Sequence, residues 1–265
     1  MSQDSTALIT GASAGIGRHL AAEFARHGHD LVLVARRRDA LESLADEMRD
    51  AHGVAVSVMP ADLAPDGAAD ALADALADRP IDILVNNAGV LSSGMFRRMD
   101  AAAIDNMLRV NLAALTTLCH RFAQPMVEQG SGRILNIASI AAFQPVPTLA
   151  VYAATKAYVL SLSESLSVEL ADTGVTVTAV CPGFTDTTML RGSVDGSGEK
   201  SRIPEATVLS PEQVARDAYK ACLSGDAVKV PGLGYALTMA TSRLLPRWVL
   251  REAGKLALKS GKRKR

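Results

Sequence analysis

Short, nearly continuous runs of Val, Ile and Leu alternate along this chain with longer stretches in which apolar residues recur every three or four positions. The short runs fall at 6–10, 30–35, 55–59, 81–85, 132–138 and 175–180. Strands that are apolar on both faces belong inside a layered parallel sheet, so these six segments are predicted as parallel strands. The stretches near 15–28, 38–52, 67–78, 101–129 and 151–173 read as helices, and a further helix begins near Pro211. Alternation of strand and helix predicts a doubly wound α/β sheet with ligand sites beyond the carboxyl ends of its strands. The stretch "GSVDGSGEKS" at 192–201 is rich in Gly, Ser and charge, and 187–204 is expected to be a mobile lid. No internal repeat is visible.

Composition refines this picture only slightly. With 265 residues, about half of them apolar, the chain can bury the large core of an α/β domain. A single domain is expected over 1–241, followed by a basic extension at 242–265. No uncharged apolar run reaches about 18 residues, and the start, Met1-Ser2-Gln3-Asp4, lacks a basic and apolar leader, so a cytoplasmic protein is expected. Cys119, Cys181 and Cys222 are widely spaced in apolar surroundings and are expected to be reduced core residues.

The glycine-rich stretch "TGASAGIG" at 10–17 joins the first strand to the first helix. Gly11 permits a tight turn, Gly15 lets the backbone approach a pyrophosphate, and Gly17 lets helix and strand pack closely. Ser13, Ala14 and Ile16 complete the turn, and the helix start offers N–H groups and partial positive charge to phosphates. The spacing is G-x-x-x-G-x-G, and its place at a strand-to-helix junction points to nucleotide binding. The second strand ends "LVLVARRR". Ala35 stands where an acid would hold a ribose 2′-hydroxyl, and Arg36 and Arg37 follow, suited to a 2′-phosphate; the expected cofactor is therefore NADP(H). The plainer reading, in which 36–38 only begin a solvated helix, stays open from these residues alone.

Further stretches complete a set. They are Asp62-Leu63 after the third strand, "NNAG" at 86–89 after the fourth, Asn111 in the long helix, Ser139 after the fifth strand, "YAATK" at 152–156 and "PGFTDT" at 182–187. In order and spacing the chain resembles the short-chain dehydrogenase/reductase family, from about Thr6 to Met189. The resemblance implies a Rossmann-type fold. It also implies that Asp62 and Leu63 contact the adenine, that Asn87 lies beside the adenine ribose, and that Asn86 and Gly89 are mainly structural. Tyr152 and Lys156 would bind the nicotinamide ribose, and Thr185 and Thr187 the carboxamide.

The four catalytic candidates implied are Asn111, Ser139, Tyr152 and Lys156. The cofactor carries hydride, so the protein must supply a proton and an oriented site. Tyr152 would be general acid in reduction and general base in oxidation. A free phenol titrates near about 10, and Lys156, four residues on and on the same helix face, joined by the positive nicotinamide ring in the oxidised complex, is expected to lower it. A drop of about three units corresponds to roughly 4 kcal/mol and requires a close, partly desolvated pair. Ser139 would donate to the substrate oxygen, and Asn111 would join Lys156 to solvent in a proton relay. His19, His27, His29, His52 and His120 are assigned no catalytic part, and a metal-free mechanism is expected.

The substrate is expected to be a ketone, aldehyde or secondary alcohol with an apolar body, lined by Met95, Phe96, Ile140, Phe143, Gln144, Val146, Met189 and Leu190. No nucleic-acid partner is expected, and the helices at 101–129 and 151–173 suggest a homodimer or homotetramer. At the end of the chain the net charge of zero conceals an asymmetry: nine of the 28 basic residues but only one of the 28 acidic ones lie in 243–265, leaving 19 against 27 elsewhere. On a helical wheel Leu245, Val249, Ala253 and Leu256 oppose Arg247, Arg251, Lys255 and Lys259. Such a helix suits peripheral contact with anionic membrane, and equally docking on the pocket or on another subunit. Two other functions stay open: an NADP(H)-sensing regulator without turnover, and a scaffold recruited to membrane by this basic end.

Overall fold

The structure is a computed structural model; it describes residues 5–187, 207–244, 246, 248–252 and 255. Among the described residues one sheet is formed by β1 Thr6–Thr10, β2 Asp30–Ala35, β3 Val56–Pro60, β4 Ile83–Asn86, β5 Gly132–Ile137, β6 Val175–Val180 and β7 Val228–Lys229. All pairings are parallel and the order is β3-β2-β1-β4-β5-β6-β7. The chain starts in the middle, winds outward to β3, then crosses to β4 and winds the other way. The predicted doubly wound sheet is thus observed, with its switch point between β1 and β4.

The helices are α1 Gly15–Arg26, α2 Arg38–His52, α3 Ala68–Asp74, α4 Ala101–Leu108, α5 Leu115–Gln129, α6 Ala150–Glu169, α7 Pro211–Ser224 and α8 Leu233–Leu244. Strand side chains alternate between two cores. Ala7, Ile9, Leu31 and Leu33 meet Phe24, Leu44, Met48 and Ala218 of α1, α2 and α7 on one face. Leu8, Val32 and Val34 share the other with Leu72, Leu118, Phe122 and Val159 of α3, α5 and α6. Burial on both faces explains why the strands read as unbroken apolar runs. The three cysteines are buried, and none is in a disulfide.

The differences from expectation have local causes. β4 starts two residues later than the pattern suggested, because Asp82 instead caps β1: its carboxylate accepts from the Thr6 N–H at 2.7 Å. The segment 67–78 is helical only over α3, and its end tightens into turns in which Leu76 N–H reaches Ala73 O. The long helix at 101–129 is interrupted by a π-turn, Arg109–Ala114, between α4 and α5. β7 is a strand the pattern missed, too short at two residues to show a period. Most of the expected lid and most of the basic extension, including Met189, Leu190, Leu245, Arg247, Ala253, Leu256 and Lys259, lie outside the described residues. No described helix is long and apolar enough to cross a membrane.

Candidate active site

The carboxyl ends of β1 to β6 open onto a cavity of about 720 Å³. Its floor is the turn between β1 and α1. Gly11 takes φ +67°, and a Cβ there would lie 2.8 Å from Asn87 Nδ2 and 2.9 Å from Ala88 Cα. Gly17 is buried, and a Cβ on it would collide with Gly11 O and Asn87 Nδ2. Close approach therefore demands glycine at both positions. Asn87 fixes the turn from the side: its amide donates to Thr10 O at 2.9 Å and Gly11 O at 3.2 Å, while its own N–H reaches Thr10 Oγ1 at 3.1 Å.

Ala14 caps α1 without a side-chain acceptor, and the first turn of the helix has no acidic residue. Its leading N–H groups can therefore be satisfied by an anionic ligand. Arg36 and Arg37 stand exposed on the cavity rim beside Asp62 and Leu63, and Arg37 reaches Ser13 O at 3.4 Å. A Cβ on Gly15 would meet Thr187 Cγ2 at 3.2 Å, which places Thr187 above the turn. Thr185 is buried beside it, its hydroxyl donating to Gly183 O at 3.0 Å. These groups fit a dinucleotide: a cradle a side chain would fill, free amide donors for its phosphates, and cations at the β2 end.

Ser139, Tyr152 and Lys156 line the same cavity at the ends of β5 and α6. Ser139 follows β5, where its hydroxyl accepts from Ala141 N–H at 3.2 Å and also bonds the Tyr152 phenol. Lys156 is buried; its Nζ donates to Ile137 O at 2.7 Å and lies 5.8 Å from the centre of the Tyr152 ring. Burial pulls its ammonium down to about 8, opposed by the nearby Cys181.

In the polypeptide alone, the direction at Tyr152 differs from what its Lys156 neighbour predicts. Burial pushes its phenol up, and only the hydrogen bond from Ser139 opposes this. Lys156 is not among the groups that lower it from within the polypeptide; its Nζ is turned toward a backbone carbonyl.

Asn111 lies behind this wall, in the π-turn, and is 1% exposed. Its Oδ1 accepts from Val90 N–H at 2.8 Å, and its Nδ2 donates to Val90 O at 2.9 Å and Thr155 Oγ1 at 3.1 Å. A Cβ on Gly89 would lie 3.4 Å from Asn111 Oδ1 and 3.6 Å from Lys156 Nζ, so the two residues approach across that glycine. Asn86 points into the core, donating to Asn136 Oδ1 at 3.0 Å.

All the predicted site residues line the cavity except Gly17 and Asn111, which support it from behind. Of the expected apolar lining, Ile140, Gln144 and Val146 are present, whereas Met95 and Phe96 stand exposed off the wall and Phe143 packs against the core. Leu91, Val110, Leu149 and Phe184 line it instead. Tyr235 of α8 was not anticipated: its ring packs on Gly183, and its hydroxyl accepts from Phe184 N–H at 3.3 Å and donates to Thr207 O at 2.7 Å. No motif marks it, since its partners lie 28 and 51 residues away. Among the described residues no group of three His, Cys, Asp or Glu is placed to hold a metal ion.

Residues 5–197 match the family model for short chain dehydrogenases, and the chain belongs to that family. It is 34% identical over 218 residues to the ketoacyl reductase HetN of Nostoc, covering 82% of this chain and 74% of that protein. It is 36% identical over 219 residues to a very-long-chain 3-oxoacyl-CoA reductase-like protein of Arabidopsis thaliana, covering 81% and 69%. Among solved structures, a short-chain dehydrogenase of Sphingobium yanoikuyae in complex with NADPH superposes with a TM-score of 0.81 at 38% identity, covering 97% of this chain and 95% of that one. A bulky-bulky ketone specific alcohol dehydrogenase of Comamonas testosteroni gives 0.79 at 34% identity, covering 98% and 95%. Fold, site and family together make the chain an NAD(P)-dependent oxidoreductase acting on a small molecule.

Proposed function

We propose that this protein reduces a ketone or aldehyde with NADPH, and in reverse oxidises the secondary alcohol, with Tyr152 as the acid and base. One observation carries the reading: Ser139, Tyr152 and Lys156 share a cavity with the glycine turn and with Arg36 and Arg37. When bound, the nicotinamide supplies the hydride. Arg36 and Arg37 grip the 2′-phosphate that an acid at Ala35 would repel, which favours NADP over NAD. Asp62, Leu63 and Asn87 hold the adenosine end, Thr185 and Thr187 the carboxamide, and Lys156 the adjoining ribose. Tyr152 gives its proton to the substrate oxygen as that oxygen gains charge. Ser139 donates a second hydrogen bond to the same oxygen. Burial raises the phenol, which keeps it protonated and ready as an acid near neutral pH. Asn111 steadies the wall from which Lys156 exchanges protons with solvent.

Leu91, Val110, Ile140, Val146, Leu149 and Phe184 favour an apolar body on the substrate. Ketoacyl and bulky-ketone chemistry among the relatives agrees with this reading. We further infer assembly as a homodimer or homotetramer through α5 and α6, where Tyr158 and Val168 stand exposed. A regulator without turnover is less favoured, because Ser139, Tyr152 and Lys156 line one cavity with the glycine turn. The test is NADPH oxidation against a panel of aryl, steroid-like and 3-oxoacyl ketones, alongside polar sugars. Activity is expected on the apolar ketones. Tyr152→Phe should lower it by about 10²–10⁴-fold while NADPH still binds. Retained turnover in that variant sinks the mechanism, and preference for sugars sinks the substrate class.

A further inference from the structure

One polar group in the "YAATK" helix has no part in the chemistry above. Thr155 is 1% exposed, and its hydroxyl donates to Tyr152 O at 2.7 Å. A helical threonine often bonds back to a carbonyl of the preceding turn, and by itself this bond means little. The Thr155 Oγ1, however, also accepts from Asn111 Nδ2 at 3.1 Å, 44 residues away in sequence. Asn111 in turn is clamped on both sides by the Val90 backbone. A continuous chain of hydrogen bonds therefore runs from the 86–90 turn, through the π-turn, to the backbone of the proposed acid.

Tyr152 O is where this chain ends. In an α-helix that carbonyl also receives the N–H four residues on, which belongs to Lys156. Thr155 thus acts at the joint between the two side chains that must face one substrate oxygen and one ribose. The π-turn carries Asn111 in a helix that would otherwise be regular, and such widenings cluster at functional sites. Its contribution here is to bring an amide donor within reach of Thr155.

We propose that Thr155 is a positioning residue for Tyr152: its hydroxyl locks the first turn of α6 to Asn111 and so aims the phenol into the cavity. The proposal rests on the reading of Tyr152 as acid and base. Valine keeps the shape of threonine and removes both hydrogen bonds, leaving one Asn111 N–H buried without its partner; serine keeps the hydroxyl. Full-length Thr155→Val, Thr155→Ser and Tyr152→Phe are compared with wild type in kcat for reduction, the pH profile of alcohol oxidation, NADPH binding by fluorescence and thermal melting. Thr155→Val is expected to lose about 10–100-fold in kcat and to displace the pH limb, with NADPH affinity within roughly threefold and Thr155→Ser restored to a similar margin.

A Thr155→Val enzyme with wild-type kcat and an unmoved pH limb overturns the proposal. So does a Thr155→Ser enzyme as impaired as the valine variant, since volume and not the hydroxyl would then matter. Where Thr155→Val gives no cooperative melt, Thr155→Ala takes its place under the same criteria. Turnover by Tyr152→Phe would instead remove the acid-base reading itself, whereas an inactive Tyr152→Phe beside an unaffected Thr155→Val removes this inference alone.

Discussion

The carboxyl edge of the sheet sets half-buried Tyr152 and buried Lys156 against an open cavity, and the amino edge buries His29, Tyr219 and Glu23 against one another. At the amino edge His29 Nε2 meets Tyr219 Oη at 3.1 Å and its Nδ1 meets Ser5 Oγ at 2.5 Å. Phe24 lies edge-on to both rings, with centroids 5.4 and 5.0 Å away, and His27 stacks on Tyr219 at 4.2 Å. Glu23 accepts from Arg26 at 2.7 Å. Both edges shift the titration of their groups, so a shifted pKa alone does not mark a site. The difference is where the groups point. At the amino edge the neighbours close around them, and the arrangement holds α1 to α7. At the carboxyl edge they face space that a ligand can fill.

Variants should separate the two edges by opposite signs in activity and stability. The largest effect is expected at Lys156. Its ammonium falls from 10.5 to about 8 on folding, so burying the charge costs on the order of 3 kcal/mol at neutral pH. The folded value lies below the unfolded one, so this penalty is absent above the unfolded value, grows as pH falls toward 8, and is complete below it. Lys156→Met should therefore lose about 10²–10⁴-fold in turnover. At pH 7 it should melt higher, with a net gain of about 1–2 kcal/mol after the bond to Ile137 O is lost. Calorimetry beside turnover checks this; a lower melting temperature with activity retained would place Lys156 with the structural groups.

Arg36→Asp comes next and probes the far end of the same cavity. Arg36 is exposed, so nothing in the packing depends on it and the melting temperature should stay put. Loss of a charge-assisted grip worth about 1.5–3 kcal/mol should cut kcat/KM for NADPH by roughly 10–100-fold, with NADH gaining in relative terms. Unchanged cofactor preference would return 36–38 to the plainer reading of a solvated helix start.

How far the sequence anticipated these edges follows from the range of the interactions. The strands and the glycine turn were legible because their determinants are local: runs apolar on both faces, and glycines where a Cβ would strike Asn87 or Gly11. The π-turn was not, because it accompanies the clamp of Asn111 onto Val90, 21 residues away, and no period in 101–129 encodes that. Tyr235 was missed for the same reason. The i, i+4 spacing predicts that Lys156, together with the positive ring of the oxidised cofactor, lowers the phenol of Tyr152; in the polypeptide alone burial raises it, and the lysine Nζ is committed to Ile137 O. Spacing places two side chains on one face; it does not say which way each is turned.

The smallest effect belongs to the amino edge. Burial lowers the His29 imidazole below 6.5, assisted by the charges of His27 and Arg133 and opposed by Asp82 and the Ser5 backbone. A histidine lowered on folding binds fewer protons than it does in the unfolded chain, so its contribution to stability is present above about 6.5 and is lost as pH falls from there through the folded value. The wild-type melting temperature should accordingly fall between pH 7 and pH 5, and His29→Gln should flatten that slope. His29 lies just before β2, at the end of the sheet away from the cavity, so the variant should keep wild-type kcat and NADPH affinity at pH 7. A pH slope that survives the substitution would move the acid sensitivity elsewhere, and a loss of turnover would mean that the two edges communicate through α1, whose first turn meets the cavity and whose last turn meets His29.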